Sequence, residues 1–197
     1  MVDLQGYLEN KIKRIISSWH EDGIYAISFF VYANESFKYN VHSNVTEFSV
    51  GYNTEKDCNG ADELSEERWN YAFWRQNDIP VIQADADDEG MKVLFDWYTE
   101  NGIDNIGYED YTKCYDENGG YIGKGPIGFY ELLSVITSIA KGLQQSGFIK
   151  SVFGRAIPII IHELEYPWYI FETNKKANPN GEAVAFLEAM ERMWCVD

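Results

Sequence analysis

Two pairs of strand-like segments, one near each end of the chain, constrain the fold more than any other feature. Residues 24–32 (IYAISFFVY) are rich in β-branched and aromatic side chains, and residues 46–53 alternate between apolar and polar positions. Residues 156–164 and 167–171 form a second pair, joined by a tight connection at Glu165-Tyr166. Because a two-stranded unit is too small to be stable alone, we expect all four segments to share one antiparallel sheet and one core.

Helical patterns precede, separate and follow these strands. In the N-terminal segment apolar residues recur every three to four positions, with Asp3 placed as the N-cap. Further helices are expected over residues 65–74, from Asp87 to about Asn101, from Pro126 to Gln145 and up to Trp194 at the end. Strand pairs with short links and helices around them indicate the α+β class. We therefore predict a single α+β domain over residues 1–197, with a mainly antiparallel β-sheet packed with flanking α-helices.

The negative charge is concentrated in the middle third of the chain. Residues 47–117 contain 19 acidic and 5 basic residues, a net charge of −14, whereas the whole chain carries −16. Aromatic residues are interleaved with these acids. A one-sided field of this kind repels nucleic acid and anionic membranes and attracts basic partners. The pattern therefore predicts a basic protein partner, no nucleic acid and no membrane.

Composition and cysteine usage predict a cytoplasmic globular protein. The chain is 45% hydrophobic, far from the composition of disordered segments. Cys58, Cys114 and Cys195 are odd in number and show no C-x-x-C spacing, so we expect reduced thiols and no zinc site. The N-terminal segment lacks the apolar stretch of a signal peptide, and no run of 18 apolar residues exists, so we expect neither secretion nor a membrane span.

Two motifs resemble ligand-binding loops without meeting their full requirements. Gly123-x-Gly125-x-x-Gly128 precedes a helix, but no acidic residue lies between Glu131 and Glu163 to hold a ribose, so we expect a glycine loop and no cofactor. Residues 85–96 resemble a calcium loop, but Glu occupies position five, Asp occupies position twelve, and a lysine replaces the usual aliphatic residue. A calcium site, a negatively charged helix start and a partner-binding face remain open there. We expect no tight calcium or zinc binding.

No catalytic motif is present. The chain has no G-x-S-x-G, phosphate-binding P-loop or H-E-x-x-H sequence. In a strand, His162 shares a face with Ile160 and Leu164, while the neighbouring glutamates share the other face, so its imidazole does not face the carboxylates. We therefore expect an ordinary edge or core histidine and no catalytic residue.

The segment ERWNYAFWR, residues 67–75, is dense in aromatic and arginine side chains. At helical spacing Trp69 and Phe73 share one face, and Arg68 and Arg75 share another. Core anchoring by Trp69, Phe73 and Trp74 is expected. An exposed aromatic–arginine patch is the alternative, because these residue types dominate binding energy at interfaces.

Three segments together carry a resemblance to a known family: FSVGYNTEKDC, ERWNYAFW and PIIIHELEYPWYIFETNKKANPNG. The chain resembles a family of uncharacterised bacterial proteins of about 200 residues that is catalogued as a domain of unknown function. The resemblance covers most of the chain. It implies a link to polymorphic toxin systems, in which some members are suspected immunity proteins. Its motifs are aromatic and structural, so no site residue is carried over from it.

Charge and resemblance together predict a cytoplasmic protein-binding module. The specific form that we expect is an immunity-type inhibitor that binds a basic toxin through an acidic, aromatic-rich face. Partner-binding residues are expected to be Asp85, Asp87, Asp88 and Glu89, which steer association, and Trp74, which anchors the partner. The alternative is an enzyme, or a small-ligand or metal-binding protein, with a cleft lined by Tyr52, Trp69, Trp74 and His162.

Overall fold

The fold consists of one four-stranded sheet and the helices around it. A computed structural model describes residues 2–35, 44–84, 87–164, 167 and 169–194. In chain order the elements are α1 (Leu4–Ser17), β1 (Ile24–Glu35), β2 (Asn44–Thr54), α2 (Glu66–Trp69), β3 (Ile79–Ile82), α3 (Asp88–Glu100), α4 (Phe129–Gln145), α5 (Phe148–Phe153), β4 (Ile159–His162), α6 (Tyr169–Ala177) and α7 (Val184–Trp194). Single 3₁₀ turns lie at Tyr71–Phe73 and Tyr111–Lys113.

The sheet has the strand order β3-β2-β1-β4 and is mixed. β1 pairs antiparallel with β2, with Phe29 opposite Val50, and β2 pairs antiparallel with β3. β4 pairs parallel with β1, with Phe29 opposite Ile161. The predicted α+β class is therefore confirmed, as is the antiparallel pairing of the first two strands. The predicted antiparallel arrangement of the C-terminal pair is wrong.

The error at the C-terminal end concerns residues 167–171, which were predicted as a strand. Tyr169 begins α6, and Tyr169, Ile170, Thr173, Asn174 and Ala177 are its buried residues. Their spacing is helical, but the aromatic and β-branched residues at the start of the segment have high strand propensity. Among the described residues β4 pairs only with β1, which it reaches from the far end of the chain, and this produces the parallel pairing.

The segment after β2 also differs from the prediction. The helix expected over residues 65–74 is one turn of α2 followed by a 3₁₀ turn, because Asn70 is extended and its side chain accepts a hydrogen bond from the Ala72 amide at 3.0 Å. Trp69 and Trp74 are buried in the core, as expected, but Phe73 is 53% exposed. β3 was missed, and its Pro80 is tolerated because this strand lies at the sheet edge.

The helices with local signals are confirmed. Asp3 caps α1 by accepting a hydrogen bond from the Gly6 amide at 2.8 Å, and Leu4, Leu8, Ile12 and Ile16 form its buried stripe. α3, α4 and α7 lie close to their predicted positions. α4 packs against α1 and against β1 and β2. Both faces of the sheet are covered, since Phe29 on one face and Ser28 on the other are each at most 1% exposed.

Gly128, the last glycine of the G-x-G-x-x-G motif, is the N-cap of α4 and adopts φ +97°. Replacing Gly128 with alanine is expected to destabilise the fold by about 2 kcal/mol, because an L side chain is strained at this φ. The new Cβ would also lie 2.9 Å from Tyr98 Oη, which donates to the Gly128 carbonyl. The measurement is urea denaturation. Gly142→Ala is the control, because Gly142 lies within α4 with open space around it. That change should stabilise the fold by up to about 1 kcal/mol, and equal effects of the two changes would contradict the argument.

Candidate functional site

A cavity of about 580 Å³, which we call the tyrosine pocket, lies where the two parallel strands end. Glu163 directly follows β4, and Ala33 lies near the end of β1. The carboxyl ends of parallel strands meet at one edge of a sheet, a common place for ligand sites. The opposite wall comes from the segment between α3 and α4. The side chains on which the site depends are Glu109, Tyr111, Tyr115, Tyr121, Glu163 and Tyr169.

Tyrosine hydroxyls hold both carboxylates of the tyrosine pocket. Tyr121 Oη donates to Glu109 Oε1 at 2.6 Å, and Tyr169 Oη donates to Glu163 Oε1. Tyr121 Oη also accepts a hydrogen bond from the Gly125 amide at 2.7 Å. These contacts orient the two carboxylates before any ligand arrives. Preorganised groups of this kind lose less conformational entropy on binding.

The mouth of the tyrosine pocket is aromatic and open. Tyr111 is 58% exposed and Tyr115 is 51% exposed. Tyr115 meets the Tyr121 ring edge-on, with centroids 5.6 Å apart, and residues 115 and 121 form an isolated antiparallel bridge. Exposed tyrosines offer large contact area with few rotatable bonds. They are therefore suited to contact a bound partner.

The electrostatics of the tyrosine pocket favour cations. Burial raises the pKa of Tyr169 and of Tyr121, and the carboxylates Glu163 and Glu109 raise them further, so both phenols stay neutral. Burial and Glu109 also raise the pKa of the Cys114 thiol to about 11, and this thiol donates to Glu109 Oε1 at 3.2 Å. Glu109 and Glu163 give the described lining of the pocket two acidic side chains. A cation can thus bind both carboxylates and the faces of the tyrosine rings.

The predicted partner-binding residues are not among the described residues that line the tyrosine pocket. Asp87 is the N-cap of α3, accepts a hydrogen bond from the Gly90 amide and pairs with Lys11 Nζ at 2.6 Å. Its carboxylate is therefore engaged in joining α1 to α3. Glu89 is exposed, Asp88 begins α3, and Asp85 lies outside the described residues.

The predicted anchor, Trp74, is only 5% exposed, and its indole donates to the Arg68 carbonyl at 2.9 Å. This burial leaves almost no surface for a partner. The exposed aromatic residues of the acidic region are instead Phe73, Tyr108, Tyr111 and Tyr115. Arg68 is 9% exposed and pairs with Glu55 at 2.7 Å, so the alternative of an exposed aromatic–arginine patch is not supported at that residue.

The alternative cleft of Tyr52, Trp69, Trp74 and His162 does not exist. Tyr52 pairs with Ile27, and His162 pairs with Phe30, so the two side chains lie on opposite faces of the sheet. Trp69, Trp74 and His162 are all buried. The expectation of a core histidine is confirmed.

Ser28 and His162 form a buried pair that invites comparison with a catalytic triad. Ser28 Oγ lies 2.8 Å from His162 Nε2, and its other contact is Asp78 Oδ1 at 3.4 Å. In a triad the acid orients the other ring nitrogen of the base, but here Nδ1 faces the Glu163 carbonyl oxygen at 3.3 Å. Ser28 and His162 are each 1% exposed. This geometry is that of a packed polar network without access for a substrate.

The residues of the tyrosine pocket were not identified from the sequence. In the sequence, Tyr111 and Tyr115 are part of the acidic, aromatic stretch of residues 47–117, and Glu163 is the neighbour of His162. The single available signal was the alternation of acids and tyrosines over residues 108–117. The contribution of Glu163 and Tyr169 depends on the parallel return of β4, which has no local signature.

The described part of the chain shows neither a metal site nor a membrane-spanning helix. Residues 2–35, 44–84, 87–164, 167 and 169–194 contain no group of three or more His, Cys, Asp or Glu side chains placed to hold a metal ion. Over the same ranges, no helix combines the length and apolar character needed to cross a membrane. Cys58 and Cys114 are free thiols.

No family model, curated protein or solved structure matches the chain, so its resemblance to an uncharacterised bacterial family stays a prediction.

Proposed function

We propose that this chain is a cytoplasmic protein-binding module that receives a basic side chain of its partner in the tyrosine pocket. The observation that carries the proposal is that Glu109 and Glu163 line the same open cavity, together with the exposed rings of Tyr111 and Tyr115. A lysine or arginine of a partner would pair with these carboxylates. The exposed rings of Tyr111 and Tyr115 would then pack on the aliphatic part of that side chain.

An immunity-type inhibitor of a basic toxin is the specific form of this proposal. Toxins that cleave nucleic acids have basic, phosphate-seeking sites, and an acidic surface can cover such a site. The net charge of −14 over residues 47–117 would speed association, while the tyrosine pocket would slow dissociation. The same charge disfavours nucleic acid and anionic membranes as partners.

A second candidate is a binding protein for a small amine. The volume of the tyrosine pocket, about 580 Å³, falls in the range of small-molecule sites. Its carboxylates and aromatic rings are the groups that recognise organic cations. This candidate predicts saturable binding of a free amine, whereas the first predicts tight binding only to a protein.

We expect the double change Glu109→Gln and Glu163→Gln to weaken partner binding at least 30-fold. Removing the acidic member of a desolvated charge pair costs about 2 kcal/mol or more, which corresponds to this factor. Glutamine still accepts hydrogen bonds from Tyr121 and Tyr169, so the fold is preserved. Because the lost contacts are local, the dissociation rate should rise while the association rate changes little.

The experiment captures partners from the extract of the source cells, identifies them by mass spectrometry and measures both rate constants with the purified partner. The matched control is Glu188→Gln with Glu191→Gln, which removes the same charge from the exposed face of α7. The control should change affinity less than twofold. Capture of only acidic proteins, or equal binding by the pocket variant and the wild type, would refute the proposal.

A further inference from the structure

A second cavity, of about 280 Å³, lies between α4 and α6 and differs in character from the rest of this acidic molecule. We call it the α4–α6 groove. Its polar lining consists of the hydroxyl-bearing residues Tyr130, Ser134, Thr137, Ser138 and Thr173 and the lysines Lys141 and Lys176. No aspartate or glutamate lines it. The groove is therefore a basic, hydroxyl-rich site on a chain with a net charge of −16.

The sequence around the groove is also basic, unlike the rest of the chain. Residues 132–162 contain Lys141, Lys150 and Arg155 but no acidic residue. On α4, Ser134, Ser138 and Lys141 follow one another at helical spacings of four and three, which places them on one face. α6 brings Thr173 and Lys176 to the same groove. Basic and hydroxyl groups from two elements thus converge on one space.

The donors of the α4–α6 groove are available to a ligand. In the described part of the chain, neither Lys141 nor Lys176 forms an ion pair, although the neighbouring Lys175 pairs with Glu172 at 3.3 Å. Thr173 and Ser134 likewise donate to no described acceptor, whereas Ser138 Oγ bonds to the Ser134 carbonyl. Lys124 Nζ lies 4.6 Å from the centroid of the Tyr130 ring, which brings a third ammonium near one end of the groove.

We infer that the α4–α6 groove binds the phosphate group of a small phosphorylated ligand. Lys141 and Lys176 provide the positive charge, and the hydroxyls of Ser134 and Thr173 provide directional hydrogen bonds to the phosphate oxygens. The ring of Tyr130 forms a wall against which an attached organic group packs. The small volume and the strongly negative charge of the whole chain select a compact ligand and repel a polyanion such as nucleic acid.

The test is a titration of the full chain with inorganic phosphate and with phenyl phosphate, followed by amide NMR shifts at constant ionic strength in chloride. We expect saturable shifts confined to α4 and α6, with tighter binding of phenyl phosphate because of its contact with Tyr130. Lys141→Gln with Lys176→Gln should lower the affinity at least tenfold. Both lysines are on the surface, and an unchanged melting temperature would confirm that the variant is folded.

The matched control is Lys150→Gln with Lys175→Gln, which removes the same charge from nearby exposed positions outside the groove. It should change the affinity less than twofold. Shifts that do not saturate, or that spread over all surface lysines, would show general ion attraction and overturn the inference. Equal losses in the groove and control variants would do the same.

Discussion

Replacing Asn174 with leucine is expected to destabilise the protein by about 2–6 kcal/mol, because this side chain completes the outer edge of the sheet. Asn174 Oδ1 accepts from the Ile161 amide at 2.8 Å, and its Nδ2 donates to the Ile161 carbonyl at 2.7 Å. The asparagine is fully buried. Leucine would leave both backbone groups of Ile161 without a partner, and each unsatisfied buried group costs about 1–3 kcal/mol.

Asn178 repeats the same contact one helical turn later. Its side chain accepts from the Ile159 amide at 2.9 Å and donates to the Ile159 carbonyl at 2.8 Å. Four residues of a helix rise about 6 Å, and two residues of a strand rise about 6.6 Å, so Asn174 within α6 and Asn178 just past its end match alternate residues of β4. The two side chains therefore act as a substitute for a neighbouring strand and protect this edge from pairing with another chain.

The measurement is urea denaturation followed by tryptophan fluorescence, with Asn180→Leu as the control. Asn180 is exposed, and its side chain contacts only Glu182 among the described residues. The control should change the free energy of unfolding by less than about 0.5 kcal/mol, as surface substitutions usually do. A loss below 1 kcal/mol for Asn174→Leu would show that α6 does not hold the edge in this way.

The stability of the protein is expected to fall by about 3 kcal/mol between pH 7 and pH 4 through His162 alone. Complete burial lowers the pKa of His162 to about 4, from an ordinary value of 6.5. Because the folded pKa is depressed, the unfolded chain takes up the proton first as the pH falls. The contribution of His162 is therefore fully present above pH 6.5 and is lost as the pH falls towards 4, at about 1.4 kcal/mol per pH unit.

The groups around His162 come from several elements. Ser28 of β1 bonds to its Nε2, the rings of Phe30, Tyr71 and Trp74 pack around it, and Asp78 contacts Ser28 at 3.4 Å. Tyr71 Oη donates to Asp78, and the pKa of Tyr71 is raised by burial, so this phenol does not titrate in the same range. Contributions to stability that do not involve His162 are common to all variants, so they cancel in a comparison of variants.

The experiment measures the free energy of unfolding at several pH values from 7.5 to 4 for the wild type, His162→Gln and His20→Gln. Subtracting the His162→Gln curve from the wild-type curve should isolate a decrease of about 3 kcal/mol. His20 is exposed, so its variant should keep the wild-type dependence on pH. Parallel curves for the wild type and His162→Gln would mean that His162 is solvated or charged in the folded protein.

The helices that could be predicted are those whose signals lie within the element itself. Asp3 and Asp87 cap α1 and α3 through side chains that accept from amides three residues later. The apolar stripe of α4 and the alternation of β2 are likewise local patterns. β1 and β2 are consecutive strands, which pair in most folds. Apolar periodicity and short sequence separation therefore account for the correct part of the prediction.

The elements that could not be predicted are short or depend on contacts distant in sequence. β3 has only four residues, too few to establish a period, and it contains Pro80. α6 begins with residues of high strand propensity, yet it is helical because Asn174 and Asn178 must follow the edge of β4. Tertiary contacts override intrinsic propensity in such segments.

By itself the sequence determined the α+β class, the main helices, the pairing of the first two strands and the acidic character of the middle third. Only the tertiary structure decided which acids line a common cavity. Glu109 and Glu163 meet in the tyrosine pocket because β4 returns parallel to β1 after α4, a pairing that no local pattern encodes. The same packing buries Trp74 and leaves Tyr111 and Tyr115 in solvent. Charge and periodicity are properties of a segment, whereas burial and convergence arise only when distant segments share a core.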